Sequence, residues 1–129
     1  MASRPVVLDT NFLLIPFQFK IDIVGEIDYL VEISHTFVIS SRTLAELKKI
    51  AQSVGKNGMA ARLALKMIVA NQARIETVKS ESPVDDWIVE YAKHNNAIVC
   101  TNDSVLRRRL KPFRIKVITL KSKSKLGFV

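Results

Sequence analysis

Short apolar runs alternate along the chain with stretches whose apolar residues recur every three or four positions. "VVL" (6–8), "FVIS" (37–40), "IETV" (75–78), "AIVC" (97–100) and "IKVITL" (115–120) predict five strands. "IVGEIDYLVEI" (23–33) and "TLAELKKIAQSV" (43–54) carry helical spacing, and Gly55 follows where the second should stop. "GKNG" (55–58) predicts a loop, and "MAARLALKMIVANQ" (59–72) is rich in helix formers. "SPVDDWIVEYAKHN" offers Ser82 as a cap with Pro83 at the first helical position, and "SVLRRRL" (104–110) predicts a short helix ended by Pro112. Strands alternating with helices imply an α/β fold, a central and mostly parallel sheet of about five strands covered on both faces. No repeat, low-complexity tract or second domain is evident, so residues 1–129 are expected to form one domain with a basic C-terminal segment from about 104.

Right-handed crossovers bring the carboxyl ends of parallel strands to one edge, where ligands of open α/β sheets bind. Three runs end there in polar residues: "VVL" enters "DTN", "FVIS" enters "SRTLAE", and "AIVC" enters "TND". Asp9 and Asp103 therefore share an edge, joined by Glu46 in the first turn of the helix after the second strand and Asp85 in the first turn after the third. Each acid also has a structural explanation. Asp103 can cap "SVLRRRL". Thr43 and Glu46 fit a capping box. Asp85 and Asp86 both favour the positive end of a helix dipole. Asp9 needs no such role, because no helix cap is evident after its strand. At about 100° per residue, Val84, Ile88, Tyr91 and Ala92 share a face. Asp85 lies at the border of that face and Asp86 points nearly opposite, toward water.

Charge narrows the chemistry. Of 129 residues, 20 are Lys or Arg and 12 are Asp or Glu, a net charge of +8. Residues 1–103 hold 11 of the basic residues against all 12 acids; residues 104–129 hold nine basic residues and no acid. This basic segment predicts either a polyanion partner or a solvated face. Arg107, Arg108, Arg109, Lys111 and Arg114 are its candidate nucleic-acid contacts. The single cysteine, Cys100, cannot form an internal disulfide, which fits a reducing compartment. It reads as a small buried hydrophobe inside "AIVC". "TNFLLIPFQF" is too short to span a bilayer, and Asp9 interrupts the apolar core that a signal peptide would need. The expected location is the cytoplasm.

Four converging carboxylates repel one another unless some protonate or a cation enters. An all-oxygen set without a convincing imidazole or thiolate suits Mg²⁺ or Mn²⁺ better than zinc. Such a site can activate water for an in-line displacement at phosphorus. Thr10, Asn11, Thr101 and Asn102 are neutral hydrogen-bonding neighbours that can orient water, carboxylate or phosphate. A phosphate backbone brought to acids needs a basic surface to hold it, which the C-terminal segment can supply.

Together these residues resemble the PIN-domain nuclease family over essentially the whole chain. "DTN" carries the first acid, Asp9; "LAEL" the second, Glu46; "VDDWIVEYA" the third, with Asp85 the better match; and "VCTND" the last, Asp103, with Thr101 in the usual polar position. The resemblance implies a three-layer α/β/α domain and metal-dependent cleavage of single-stranded or structured RNA, often by a homodimer. Compact members are often VapC-like toxins paired with an antitoxin protein. "TNDSVLRRRL" is also similar to PIN nucleases of ribosomal RNA processing, where ribosome-assembly factors would be partners. The doubled acid "DD" departs slightly from the common toxin pattern, which leaves Asp86 as the alternative to Asp85 and tilts the resemblance toward the processing branch.

Three rival readings meet specific obstacles. A haloacid-dehalogenase-like phosphatase needs a second Asp two residues after the first, where this chain has Asn11. A response-regulator receiver needs an Asp after a middle strand, and "FVISS" supplies none. A non-catalytic RNA-binding scaffold would lack one or more of the acids. Phe113 and Phe128 alone are interleaved with the basic residues, too few for a stacking platform. His35 and His94 read as loop-edge and helix-surface residues, and "NFLLIPFQF" (11–19) as core or dimer contact.

Overall fold

A computed structural model describes residues 3–129; the first two positions of the expected 1–129 domain lie outside the described residues. One six-stranded sheet organises the chain: β1 (Arg4–Leu8), β2 (His35–Ser40), β3 (Ile75–Val78), β4 (Ile98–Cys100), β5 (Val117–Ser122) and β6 (Lys125–Phe128), in the order β3-β2-β1-β4-β5-β6. The first five strands are parallel, with Val7 opposite Val38 on one side and Val99 on the other. The sixth pairs antiparallel with β5. The helices are α1 (Ile15–Phe19), preceded by a 3-10 turn at Phe12–Leu14, α2 (Ile23–Leu30), α3 (Ser41–Ile50), α4 (Lys56–Ala70), α5 (Val84–Asn95) and α6 (Ser104–Leu110).

Strand order explains the layers. The chain steps from β1 out to β3, then returns to place β4 beside β1 on the other side. A crossover of constant hand must change face when the direction of travel reverses. The two cores follow that rule. Val6, Leu8, Phe37, Ile39, Ile98 and Ile118 pack with Phe12, Ile23, Ile27, Leu47 and Ala61 from the 3-10 turn and α2–α4. Val7, Val38, Val99 and Val117 pack with Ile88, Ala92, Leu106 and Leu110 from α5 and α6. Adjacent strand residues thus enter opposite cores, so the strands read as continuous apolar runs and not as alternating ones.

Several boundaries differ from the sequence reading, each for a local reason. Helix α3 begins at Ser41 because the Ser40 hydroxyl caps it, accepting from Arg42 N at 3.1 Å. Thr43 is therefore no cap, and Glu46 lies in the second turn. Helix α4 begins at Lys56, inside the expected "GKNG" loop, after Gly55 turns the chain at φ 88°. Pro83 occupies the capping position of α5, with no side-chain cap. The segment "NFLLIPFQF" became the 3-10 turn and α1, with Phe12, Leu13 and Ile15 fully buried. Strand β6 was not foreseen. Its backbone pairs with β5, and Leu126 N donates to Glu26 Oε1 on α2 at 3.3 Å, which partly closes the sheet edge. Across the sheet, Asp28 of α2 accepts two bonds from Arg74, at 2.7 and 2.9 Å, and lies 2.7 Å from His35 Nε2 at the start of β2. His94 is exposed and lies 3.4 Å from Glu90 on its own helix. No helix among the described residues is long and apolar enough to cross a membrane.

Candidate active site

The direction of strand succession reverses between β1 and β4, and both strands end in polar residues at their carboxyl edge. Asp9 N donates to Cys100 O at 3.1 Å, extending the β1–β4 ladder by one bond. That bond carries the Asp9 side chain into the structure, only 4% exposed. Its Oδ1 accepts from Thr10 N at 2.8 Å and its Oδ2 from the Thr101 hydroxyl at 2.7 Å. Burial pushes the Asp9 pKa up to about 6; the Thr101 and Thr10 bonds oppose the rise, while the charges of Asp85 and Asp103 add to it.

The remaining acids surround this one. Thr101 is fully buried, and its Oγ1 also accepts from Asp103 N at 3.0 Å. Asp103 Oδ1 caps α6, accepting from Val105 N at 2.8 Å and Leu106 N at 3.3 Å. The structural explanation of Asp103 thus holds without removing its charge from the edge. Glu46 is different. Its Oε1 accepts from the buried Thr10 hydroxyl at 3.2 Å, which also lies 3.1 Å from Thr43 Oγ1. A side chain bonded across to the β1 edge is not reaching back to its own helix start, so the capping-box explanation fails for Glu46. Asp85, in the first turn of α5, is half-buried. Burial raises its pKa first and the Asp103 charge second, while Arg109 acts the other way.

The four acids are thus linked by bonds or charge around the carboxyl ends of β1 and β4. Among the described residues, no three His, Cys, Asp or Glu side chains are gathered tightly enough to hold a metal ion by themselves. A site with one or two direct carboxylates and several waters is the usual arrangement for Mg²⁺. The all-oxygen donor set and the upward pull on Asp9 and Asp85 both fit a hard cation.

The neutral neighbours divide. Thr10 and Thr101 touch the acids directly. Asn11 is exposed at the capping position of the 3-10 turn without a capping bond. Asn102 turns toward β5, its Oδ1 accepting from Thr119 Oγ1 and Leu120 N, both at 2.9 Å. Cys100 is buried and its thiol pKa is pushed far up by burial, as expected of a packed residue.

The basic residues divide too. Arg107, Arg108, Lys111 and Arg114 line one groove of about 530 Å³, together with Lys116 and an apolar floor of Ile115, Val117 and Val129. Arg107 Nε is buried there without a hydrogen-bond partner. Arg109 is not among the lining residues. Its Nη2 donates to Asp86 Oδ1 at 2.8 Å, so Asp86, though exposed, is ion-paired and not simply solvated. Sequence reasoning missed Lys116 as a lining residue, and also Arg42, which shares a cleft of about 360 Å³ with Glu46, Pro83, Val84 and Asp85. The four-residue spacing of Arg42 and Glu46 on one helix was the available signal.

Comparison with known proteins follows the same outline. Residues 6–123 match the family described as "PIN like domain". Ribonuclease VapC9 of Archaeoglobus fulgidus is 37% identical over 120 residues, covering 92% of this chain and 84% of that protein. Ribonuclease VapC4 of Methanocaldococcus jannaschii is 34% identical over 126 residues, covering 92% and 91%. Among solved structures, the PIN domain endonuclease Utp24 superposes with a TM-score of 0.78 at 26% identity, over 96% of this chain and 90% of that one. A domain of a functionally unknown protein from Methanocaldococcus jannaschii shares the fold, with a TM-score of 0.64 at 18% identity over 93% of each chain.

Proposed function

Because the chain belongs to the PIN-domain family, we propose that it is a ribonuclease that uses a divalent cation, Mg²⁺ or Mn²⁺, to hydrolyse RNA phosphodiester bonds. The observation that carries the reading is the Asp9 carboxylate. It is buried at the switch point of the sheet and bonded by two threonine donors, and its pKa is raised by burial first and by the charges of Asp85 and Asp103 second. A protein that keeps a costly charge at a ligand-binding edge has a use for it there.

Asp9, Glu46, Asp85 and Asp103 would hold the cation jointly. When bound, the cation supplies Lewis acidity and activation of water. The protein's own groups do the positioning. Thr101 orients Asp9 and, through Asp103 N, sets the start of α6 relative to it. Thr10, the residue after Asp9, donates its hydroxyl to Glu46 and so ties α3 to the end of β1. Arg107, Arg108, Lys111, Arg114 and Lys116 would hold the RNA backbone along their groove, countering the repulsion between phosphate and carboxylates. The names of the two VapC relatives favour a toxin–antitoxin setting, with a protein antitoxin as partner, over ribosomal RNA processing.

The test is cleavage of a mixed RNA pool by purified protein, with and without chelator. Cleavage that stops in excess chelator and returns with added Mn²⁺ or Mg²⁺ is the expected result. Undiminished cleavage in chelator contradicts the metal assignment, and no cleavage with either cation contradicts the activity.

A further inference from the structure

Among the described residues, one cation lines the acid-lined cleft. Arg42 shares it with Glu46, Pro83, Val84 and Asp85, and none of these residues lines the basic groove beside α6. Arg42 and Glu46 stand one turn apart on α3, a spacing that puts both on one helix face. Even so, Arg42 takes part in none of the five ion pairs among the described residues. Its Nη1 donates instead to the backbone carbonyl of Glu81 at 2.7 Å. Beside it, Ser41 Oγ accepts from Ser80 N at 3.0 Å and lies 3.3 Å from Ser80 O. The segment leading into α5 is therefore stapled to the start of α3, and the guanidinium is anchored at one corner.

A guanidinium has five donors in a rigid plane. One bond to a carbonyl restrains that plane and leaves most of the fork free, so less side-chain freedom is lost on binding. An RNA strand reaching Glu46 and Asp85 meets two carboxylates at close range, where charge repulsion is strongest. The cations of the groove beside α6 do not line this cleft, and Arg109, whose charge reaches Asp85, is bonded to Asp86. From these observations, and resting on the ribonuclease reading above, we propose that Arg42 grips one phosphate of the RNA strand in the acid-lined cleft, beside the bond being cut. Its planar fork matches two phosphate oxygens, and a charge-assisted pair of this kind fixes the strand's register against the acids.

The test couples a protein change to a substrate change. Single-stranded oligoribonucleotides carry one neutral methylphosphonate linkage, moved position by position around the cut. Wild-type protein should show one flanking position where loss of the phosphate charge slows cleavage by about tenfold or more. Arg42→Gln, which keeps a donor for Glu81 O, should cut all-phosphate RNA more slowly by a similar factor and lose little more at that one position. Arg42→Lys, with charge but no fork, should fall between. A merely structural Arg42 would instead multiply the methylphosphonate effect equally at every position, and that result overturns the proposal, as does an Arg42→Gln protein with the wild-type rate. Wild-type protein that cuts no RNA at all would overturn the ribonuclease reading first, and this assignment with it.

Discussion

At the scale of single residues, Asp9 links stability to chemistry. Its pKa of about 6 stands above the ordinary 3.8, chiefly because burial penalises the charged form. Between pH 4 and pH 6, roughly, the native chain therefore binds a proton that the unfolded chain has released. Stability falls as pH rises through that window and then levels off, an unfavourable contribution on the order of 2–3 kcal/mol at neutral pH. Asp9→Asn removes the charge while preserving size and an acceptor for Thr10 N. In chelator at pH 7 the variant is predicted to unfold at higher denaturant concentration than wild type, with a flatter pH profile between 4 and 6. Added Mg²⁺ or Mn²⁺ should stabilise wild type by binding the native state and leave the variant unmoved. A variant less stable than wild type, with the same pH profile, would show that Asp9 is an ordinary structural acid.

At the scale of elements, α6 carries two different kinds of arginine. Arg107 and Arg108 line the basic groove, whereas Arg109 is spent on Asp86 and so joins the first turn of α5 to α6. Replacing Arg107 and Arg108 with Gln should flatten the salt dependence of RNA binding by roughly 0.7 log units per lost single-strand phosphate contact. Arg109→Gln should change that slope little. Equal slopes for wild type and the double variant, measured in a salt titration, would return the groove to a solvated surface. The sequence-based reading grouped all three arginines because they are consecutive; their partners, 23 residues away in the case of Asp86, are not visible in local pattern. The same limit explains Glu46. Its spacing from Thr43 looked like a cap, but Ser40 takes that role and Thr10, 36 residues away, takes Glu46. Strand β6 escaped notice because "KLGF" has little strand character of its own and depends on pairing with β5 and on Glu26. What was legible had local causes: the apolar runs of β1–β5, and Asp9 and Asp103 as abrupt polar residues after two of those runs.

At the scale of the whole molecule, the two crossover faces, the reversal between β1 and β4, and the gathering of acids and cations at two separate places serve one arrangement. Acids stand at the carboxyl edge of the central strands, and cations that form no ion pair among the described residues line a groove beside the last helix. Asp9 and its neighbours are proposed to make this protein a metal-dependent ribonuclease. The most direct measurement is the rate at which purified wild type and Asp9→Asn cut one labelled single-stranded RNA in Mn²⁺, with unfolding curves confirming that both are folded. The expected result is cleavage by wild type that chelator abolishes, and a loss of at least about a hundredfold in Asp9→Asn, the scale on which removal of one preorganised charge-stabilising group acts. Cleavage by folded Asp9→Asn at the wild-type rate would contradict it.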